Sequence, residues 1–182
     1  MTRADRSASR RAELLAVGVR LFSTRAYDAV STDDLRRECG VSAGLLYHYF
    51  GDKRGFYLAA LEACAAELLG AIEFDPAEAA TAIDRFLDHA QARPELFRGV
   101  LRGGGGDAEA YAIVRRTRTE LARRVLAALG RPLGGSAAER LAVTAWVGGV
   151  EAATLHWLDT GEVARADVSA LALSTLPTLA AE

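Results

Sequence analysis

The sequence predicts an all-α protein, with an N-terminal three-helix head containing a helix-turn-helix and a C-terminal helical bundle, about nine helices in total. Three observations carry this prediction. Apolar residues recur at helical spacing along the chain, and nowhere alternate with the period of two that a half-buried strand needs. Helix caps and breakers punctuate the text at intervals suited to a bundle. Finally, Ser31 to Gly55, STDDLRRECGVSAGLLYHYFGDKRG, reads as two short helices around a tight glycine turn, with a third helix starting just after.

Taken in order, residues 1–9 are expected to be a disordered arm, and the first helix to run from about Arg10 to Thr24. Leu14, Val17, Gly18, Leu21 and Phe22 form its core stripe. Ser31 caps the second helix, with Asp34 returning the bond of a capping box, and Gly40 ends it as a left-handed residue. Ser42 caps the third helix, Ala43 to Phe50. Asp52 caps a fourth, about Lys53 to Ile72, whose broad apolar face suits a helix bridging two cores.

Beyond residue 73, Asp75-Pro76 with Glu78 opens a helix to about Gln91, and Arg93-Pro94 restarts a short one to about Leu101. Gly103 to Gly106 reads as a flexible connector; a phosphate-binding loop would follow a strand and carry Lys-Ser/Thr. Asp107 leads a helix to Leu129, before Gly130 and Pro132. Ser136 and Glu139 open another to about Asp159, and a last helix spans roughly Asp167 to Ala180, disturbed near Pro177.

At 182 residues and 51 % hydrophobic, the chain can bury a sizeable core. No apolar run approaches a membrane span, and the N-terminus lacks a signal-peptide pattern, so the expectation is a cytoplasmic, nucleoid-associated bacterial protein. Cys39 and Cys64 fit reduced thiols better than a disulfide. Net charge is −2, but residues 1–54 carry +3 and the rest −5, as expected when one end of a protein meets phosphate. No histidine, cysteine and carboxylate cluster has metal-ligand spacing and no nucleophile–base pair can be placed. Neither an enzyme nor a cofactor is expected.

On the third helix the outward positions are Ser42, Ala43, Leu45, His48 and Tyr49. Inserted N-terminus first into a major groove, this helix brings Ser42 and Ala43 to base edges, with Leu45 and His48 one turn on. Tyr47 and Tyr49 have hydroxyls able to reach phosphate oxygens, though packing would explain the same rings. Thr32, at the partly positive start of the second helix, is a further phosphate site. Lys53, the only lysine in the chain, starts the fourth helix beside the same surface.

GVSAGLLYHYFGDKRGFY after STDDLRREC resembles the DNA-binding signature of the tetracycline-repressor (TetR) family over about Arg10 to Leu61. The resemblance implies a homodimeric, ligand-controlled repressor of transcription that binds a palindromic double-stranded DNA operator and is released by a small-molecule inducer. It divides the chain into a DNA-binding domain, 1–52, and a ligand-binding and dimerisation domain, 53–182. By position, Thr32, Tyr47 and Lys53 match the family's phosphate contacts, and Ser42, Ala43, Gly44, Leu45 and His48 its base-facing residues. The chain departs from the pattern at Arg36, where the family packs a small Ala, and in its Tyr47-His48-Tyr49-Phe50 ending. Gly55 is expected to weaken the start of the fourth helix by up to about 1 kcal/mol relative to Ala.

Trp146 to Gly161 resembles the family's penultimate helix, which with the last helix builds a four-helix dimer interface. That implies contacts from Val147, Gly148, Val150, Glu151, Thr154, Leu155, Leu158, Leu171 and Leu176, although small residues there would equally serve packing within one chain. An inducer pocket is expected among the fifth to eighth helices, lined by Phe86, His89, Phe97, Leu101, Tyr111, Val114, Trp146 and His156, residues that would also serve as plain core. The alternative function is a ligand-binding or adaptor protein whose head no longer reads DNA specifically.

Overall fold

The computed structural model describes residues 2–101, 107–131 and 135–177; the four-glycine connector, Pro132 and Leu179 to Ala180 lie outside the described residues. Among the described residues there are nine α-helices and no strand: α1 Arg3–Thr24, α2 Thr32–Cys39, α3 Ala43–Phe50, α4 Lys53–Ala71, α5 Ala79–Ala92, α6 Pro94–Leu101, α7 Ala108–Ala128, α8 Ala137–Thr160 and α9 Arg165–Ser174. Short 3₁₀ turns precede α2 and α5. Among the same residues, no single helix is long and apolar enough to cross a membrane.

Residues 3–9, expected to belong to a disordered N-terminal arm, are instead the first turns of α1. Thr2 and Asp5 form a reciprocal capping box: the Asp5 amide donates to Thr2 Oγ1 at 3.1 Å and the Thr2 amide to Asp5 Oδ2 at 2.7 Å. Two orphan donors of the helix start are thereby satisfied, and the helix continues from Arg3. The last helix is correspondingly shorter than expected. It ends at Ser174, before the restriction that Pro177 places on the residue preceding it.

In the head, Leu14, Phe22, Val30, Leu35, Leu46, Phe50, Phe56 and Tyr57 close one core. Ser31 and Asp34 make the capping box that starts α2, and Gly40 at φ +62° ends it. Phe56 sits wholly buried in the crossing of α1 and α4, because Gly18 leaves room for its ring. A Cβ at Gly18 would come within 2.6 Å of Phe56 Cζ.

Gly55 has a similar steric reason. A side chain there would run into the carbonyl oxygen of Phe50, so the tight α3–α4 corner requires glycine where helix propensity alone counts it a weakness. Arg36 stays out of the core: it is exposed and pairs with Asp33 at 2.5 Å.

The head's core runs on into the body, since Leu96 of α6 and Ala110 and Ile113 of α7 belong to the same cluster. Two further apolar clusters join α4, α5, α7, α8 and α9. Polar ties fix these helices from outside. Arg98 of α6 reaches Asp159 at 2.8 Å and the Leu158 carbonyl on α8. Trp146 Nε1 donates to the Ala172 carbonyl at 2.9 Å, joining α8 to α9. Arg124 of α7 donates to the Leu69 and Ile72 carbonyls at the end of α4, groups that a helix terminus leaves without partners.

Candidate nucleic-acid interface and ligand cavity

The head presents α3 with its N-terminus outward. Ser42 is exposed and caps the helix, its hydroxyl accepting from the Leu45 amide at 3.3 Å. Gly44 and His48 are exposed beside it, while Ala43 and Leu45 are half-buried. Leu46 and Phe50 turn into the core. Of the two tyrosines, Tyr47 is 38 % exposed; Tyr49 is half-buried, with His48 edge-on to its ring at 5.2 Å.

Thr32 opens α2 and is half-buried. Lys53 opens α4 with its ammonium 4.1 Å from the centroid of the Tyr27 ring, a cation–π contact that holds the charge near the surface of the head. Between α2 and α3 lies an open groove of about 480 Å³ lined by Asp33, Arg36, Arg37, Gly40, Val41 and Ser42. Arg36, which the sequence required either to skirt the core or to reach toward DNA, lines this groove, as does Arg37, which the sequence pattern had not singled out. Asp34 pins the base of this surface: hydrogen bonds from Ser31, then Arg25, hold its carboxyl far below the usual carboxylate range.

The body holds two adjoining apolar cavities, each partly open to solvent. The first, about 50 Å³, lies between α5, α7 and α8 and is lined by Ile83, Phe86, Leu121, Trp146, Val150 and Glu151, among others. The second, about 70 Å³, opens between α4, α5, α6 and α7, and its walls include Cys64, Phe86, His89, Phe97, Leu121 and Glu151. Leu101 and Val114 also line the second. Phe86, Leu121 and Glu151 belong to both, so the two are lobes separated by these three side chains.

Of the expected pocket residues, the structure gathers Phe86, His89, Phe97, Leu101 and Val114 in one lobe and places Trp146 in the other. Tyr111 and His156 lie on the surface instead: each falls on the solvent side of its helix, and His156 faces Glu162 at 3.9 Å. Cys64, Arg93, Thr117 and Glu151 line the lobes without having been singled out for them.

The polar groups at the cavity wall form an ordered chain. Arg93 donates to Glu67 at 2.5 Å and approaches His89 Nδ1 at 3.3 Å; His89 Nε2 stands 3.1 Å from Cys64 Sγ. A guanidinium has no acceptor, so Nδ1 accepts and, in the neutral ring, the imidazole proton sits on Nε2, directed at the sulfur. Burial first, and the nearby Arg93 charge second, lower the His89 pKa to about 4; burial pushes the Cys64 thiol up to about 11. Both groups are therefore neutral near pH 7.

At the wall between the lobes Glu151 is only 8 % exposed, and Arg118 Nε donates to its Oε2 at 2.6 Å. Burial raises its pKa while Arg118 opposes the shift.

Glu151, with Val147 and the fully buried Thr154, corrects the dimer-face expectation. These three point into their own chain, because α7 packs along that side of α8. The outer side of α8 carries Leu141, 70 % exposed, with Ala145, Gly149 and Ala152. Gly148, Val150, Leu155 and Leu158 are half-buried on its flanks, as is Leu176 past α9, and Leu171 of α9 is exposed. Ala142, Ala145, Gly149, Ala153, Leu171 and Ala172 border an open groove between α8 and α9.

Comparison with known proteins decides what this arrangement belongs to. Residues 14–60 match the profile described as bacterial regulatory proteins, tetR family, and residues 59–177 match that described as tetracyclin repressor-like, C-terminal domain. The chain belongs to the TetR family. Among solved structures, a TetR-family transcriptional regulator from Streptomyces coelicolor superposes with a TM-score of 0.83 at 28 % identity, covering 91 % of this chain and 78 % of that one. A putative TetR-family regulator from Mesorhizobium loti gives a TM-score of 0.75 at 15 % identity over 97 % of this chain and 96 % of the other, a likeness of fold alone. A search of curated proteins returned no match. As in other TetR regulators, a helix-turn-helix head joins a helical C-terminal domain, so the chain has the fold of a DNA-binding regulator of transcription.

Proposed function

We propose that this TetR-family chain is a ligand-responsive repressor that binds a palindromic operator as a homodimer and is released by a small-molecule inducer. The observation that carries the reading is that α4, which begins beside the DNA-facing surface at Lys53, also walls the body cavity through Cys64 and Leu68. A ligand that favours one position of α4 favours one position of the head, and shifts the population that fits DNA.

In this reading residues 1–52 bind DNA, while residues 53–182 bind ligand and a second copy, and the regulator works in the bacterial cytoplasm without an enzymatic activity. Thr32, Tyr47, Tyr49 and Lys53 hold phosphates; Ser42, Ala43, Gly44, Leu45 and His48 face bases. Ser42 and His48 offer single hydrogen bonds and Ala43 and Leu45 only apolar contact with thymine methyls, so much of the selectivity falls to half-site spacing and DNA shape. Two recognition helices entering successive major grooves stand ~34–36 Å apart. The dimer forms over the outer faces of α8 and α9, where Gly149 and Ala145 allow close approach.

Selection of bound fragments from random DNA by the purified protein tests this. An enriched palindrome, with affinity falling steeply as salt rises, is the expected result. No enriched sequence and a flat salt dependence would overturn it in favour of an adaptor whose head no longer reads DNA.

A further inference from the structure

From the charge pairing around the two lobes we infer that the cavity takes a neutral, mostly apolar ligand of about one ring carrying a hydroxyl, whose O–H donates to Glu151. The inference rests on the ligand-responsive reading and names the chemical class of the ligand.

Glu151, 8 % exposed, stands on the wall common to both lobes. Arg118 engages its Oε2, while no hydrogen bond to its Oε1 is found among the described residues and that oxygen stays reachable from the cavity. An acceptor so placed between apolar walls gains from a neutral donor brought to it.

The sign of the donor is set by the neighbours. Every ionised group lining either lobe, among the described residues, already faces an opposite charge: Glu151 has Arg118, Arg93 has Glu67, and Arg124 has Glu120 at 2.9 Å. His89 and Cys64 add no charge near pH 7. A cation entering the cavity therefore meets the Arg118 guanidinium already seated on Glu151, and an anion meets Glu151 itself. A neutral hydroxyl meets neither cost and completes the carboxylate's hydrogen bonding.

Size narrows the class further. A cavity of roughly 150 Å³ accommodates benzene, and each lobe is smaller than that, at about 50 and 70 Å³. A ring that spans the boundary, with Phe86 or Leu121 turning aside, uses both lobes and places its substituent beside Glu151.

The test uses the full-length protein and four single-ring probes of similar size: phenol, toluene, benzoate and benzylammonium. Each is titrated calorimetrically at pH 7 and checked by its shift of the thermal midpoint. Phenol is expected to bind at least about tenfold more tightly than the other three, the range of a hydrogen bond to a charged acceptor. Glu151→Gln leaves Arg118 without its carboxylate, so phenol should lose about tenfold and benzoate should overtake it. Arg118→Met, at a more exposed position, should instead favour benzylammonium, and serves if Glu151→Gln fails to fold.

The inference is overturned if benzoate or benzylammonium binds wild type as tightly as phenol, if neither variant changes the order, or if no probe binds. Operator binding without any probe is measured in parallel. A protein that fails to bind DNA yet ranks the probes as stated would refute the repressor reading and leave the cavity chemistry standing.

Discussion

Arg54 grips Asp107 with both arms of its guanidinium, Nε to Oδ2 at 2.6 Å and Nη2 to Oδ1 at 2.9 Å. Arg54 lies in the first turn of α4, next to Lys53. Asp107 caps α7, accepting from the Glu109 and Ala110 amides at 2.9 and 3.1 Å. The pair thus ties the helix leaving the head to a helix that walls the ligand cavity. Being an exposed pair, it should matter little to stability. Arg54→Ala is expected to leave the melting temperature nearly unchanged while the ligand-dependent change in operator affinity shrinks several-fold, measured by fluorescence anisotropy with and without ligand. Asp107→Ala removes the cap as well and should cost about 1 kcal/mol in a urea melt.

Lys53→Ala should weaken binding to all DNA sequences alike and lower the slope of log affinity against log salt by about 1, because one phosphate contact and its released counterion are lost. Ser42 and His48 substitutions should instead change which sequences are preferred. Titrations against matched and unrelated duplexes at several salt concentrations separate the two behaviours.

Gly18→Val should destabilise the fold by about 2 kcal/mol. Its Cβ alone would fall 2.6 Å from the fully buried Phe56 ring, and overpacked cores of this kind typically lose 1–3 kcal/mol. The denaturation midpoint should recover in part when Phe56→Leu is added to the same chain, since the two sites are in contact and their effects should not add.

Gly55→Ala gives a result opposite to helix propensity. Alanine is the better helix former, yet the new methyl group meets the Phe50 carbonyl oxygen. Thermal unfolding should therefore show a loss of stability; a gain would mean that the α3–α4 corner opens to admit the side chain.

His89 makes stability depend on mildly acidic pH. Its pKa falls from 6.5 to about 4 on folding, so between those values the unfolded chain binds more protons than the folded one. The contribution is fully present above about pH 6.5 and is lost as pH falls towards 4. It is on the order of 2 kcal/mol once solvent access to the half-buried ring is allowed for. Urea midpoints at pH 7 and pH 4.5 should differ in wild type and differ less in His89→Gln. Asp107 and Glu120, each lowered to about 2 by its arginine partners, extend the loss below pH 4.

What the sequence made legible was mostly local. Ser31 with Asp34, Ser136 with Glu139, and the left-handed Gly40 act within one helical turn, and the helix boundaries they set are those observed. Thr2 with Asp5 is a signal of the same kind, and it starts α1 where the basic N-terminal composition suggests an arm. The faces of α8 were not legible. Glu151 is turned inward by Arg118, 33 residues away in sequence, and no periodicity on α8 alone says which side α7 covers. The need for Gly55 likewise arises from a carbonyl brought close only when the corner folds. On α3 the helical period sets Leu46 and Phe50 apart from the outward Ser42 and His48, and both are buried.

Arg124 closes the far end of α4 as Arg54 holds the near end, and both attachments lead to α7. The helix is a beam pinned at two supports, with the cavity pressing on its middle through Leu61, Cys64 and Leu68. A beam so held cannot slide away from a swelling guest. On the proposed reading it would bow instead, turning a small increase in volume at mid-span into a change of slope at the end where Lys53 and the head are attached.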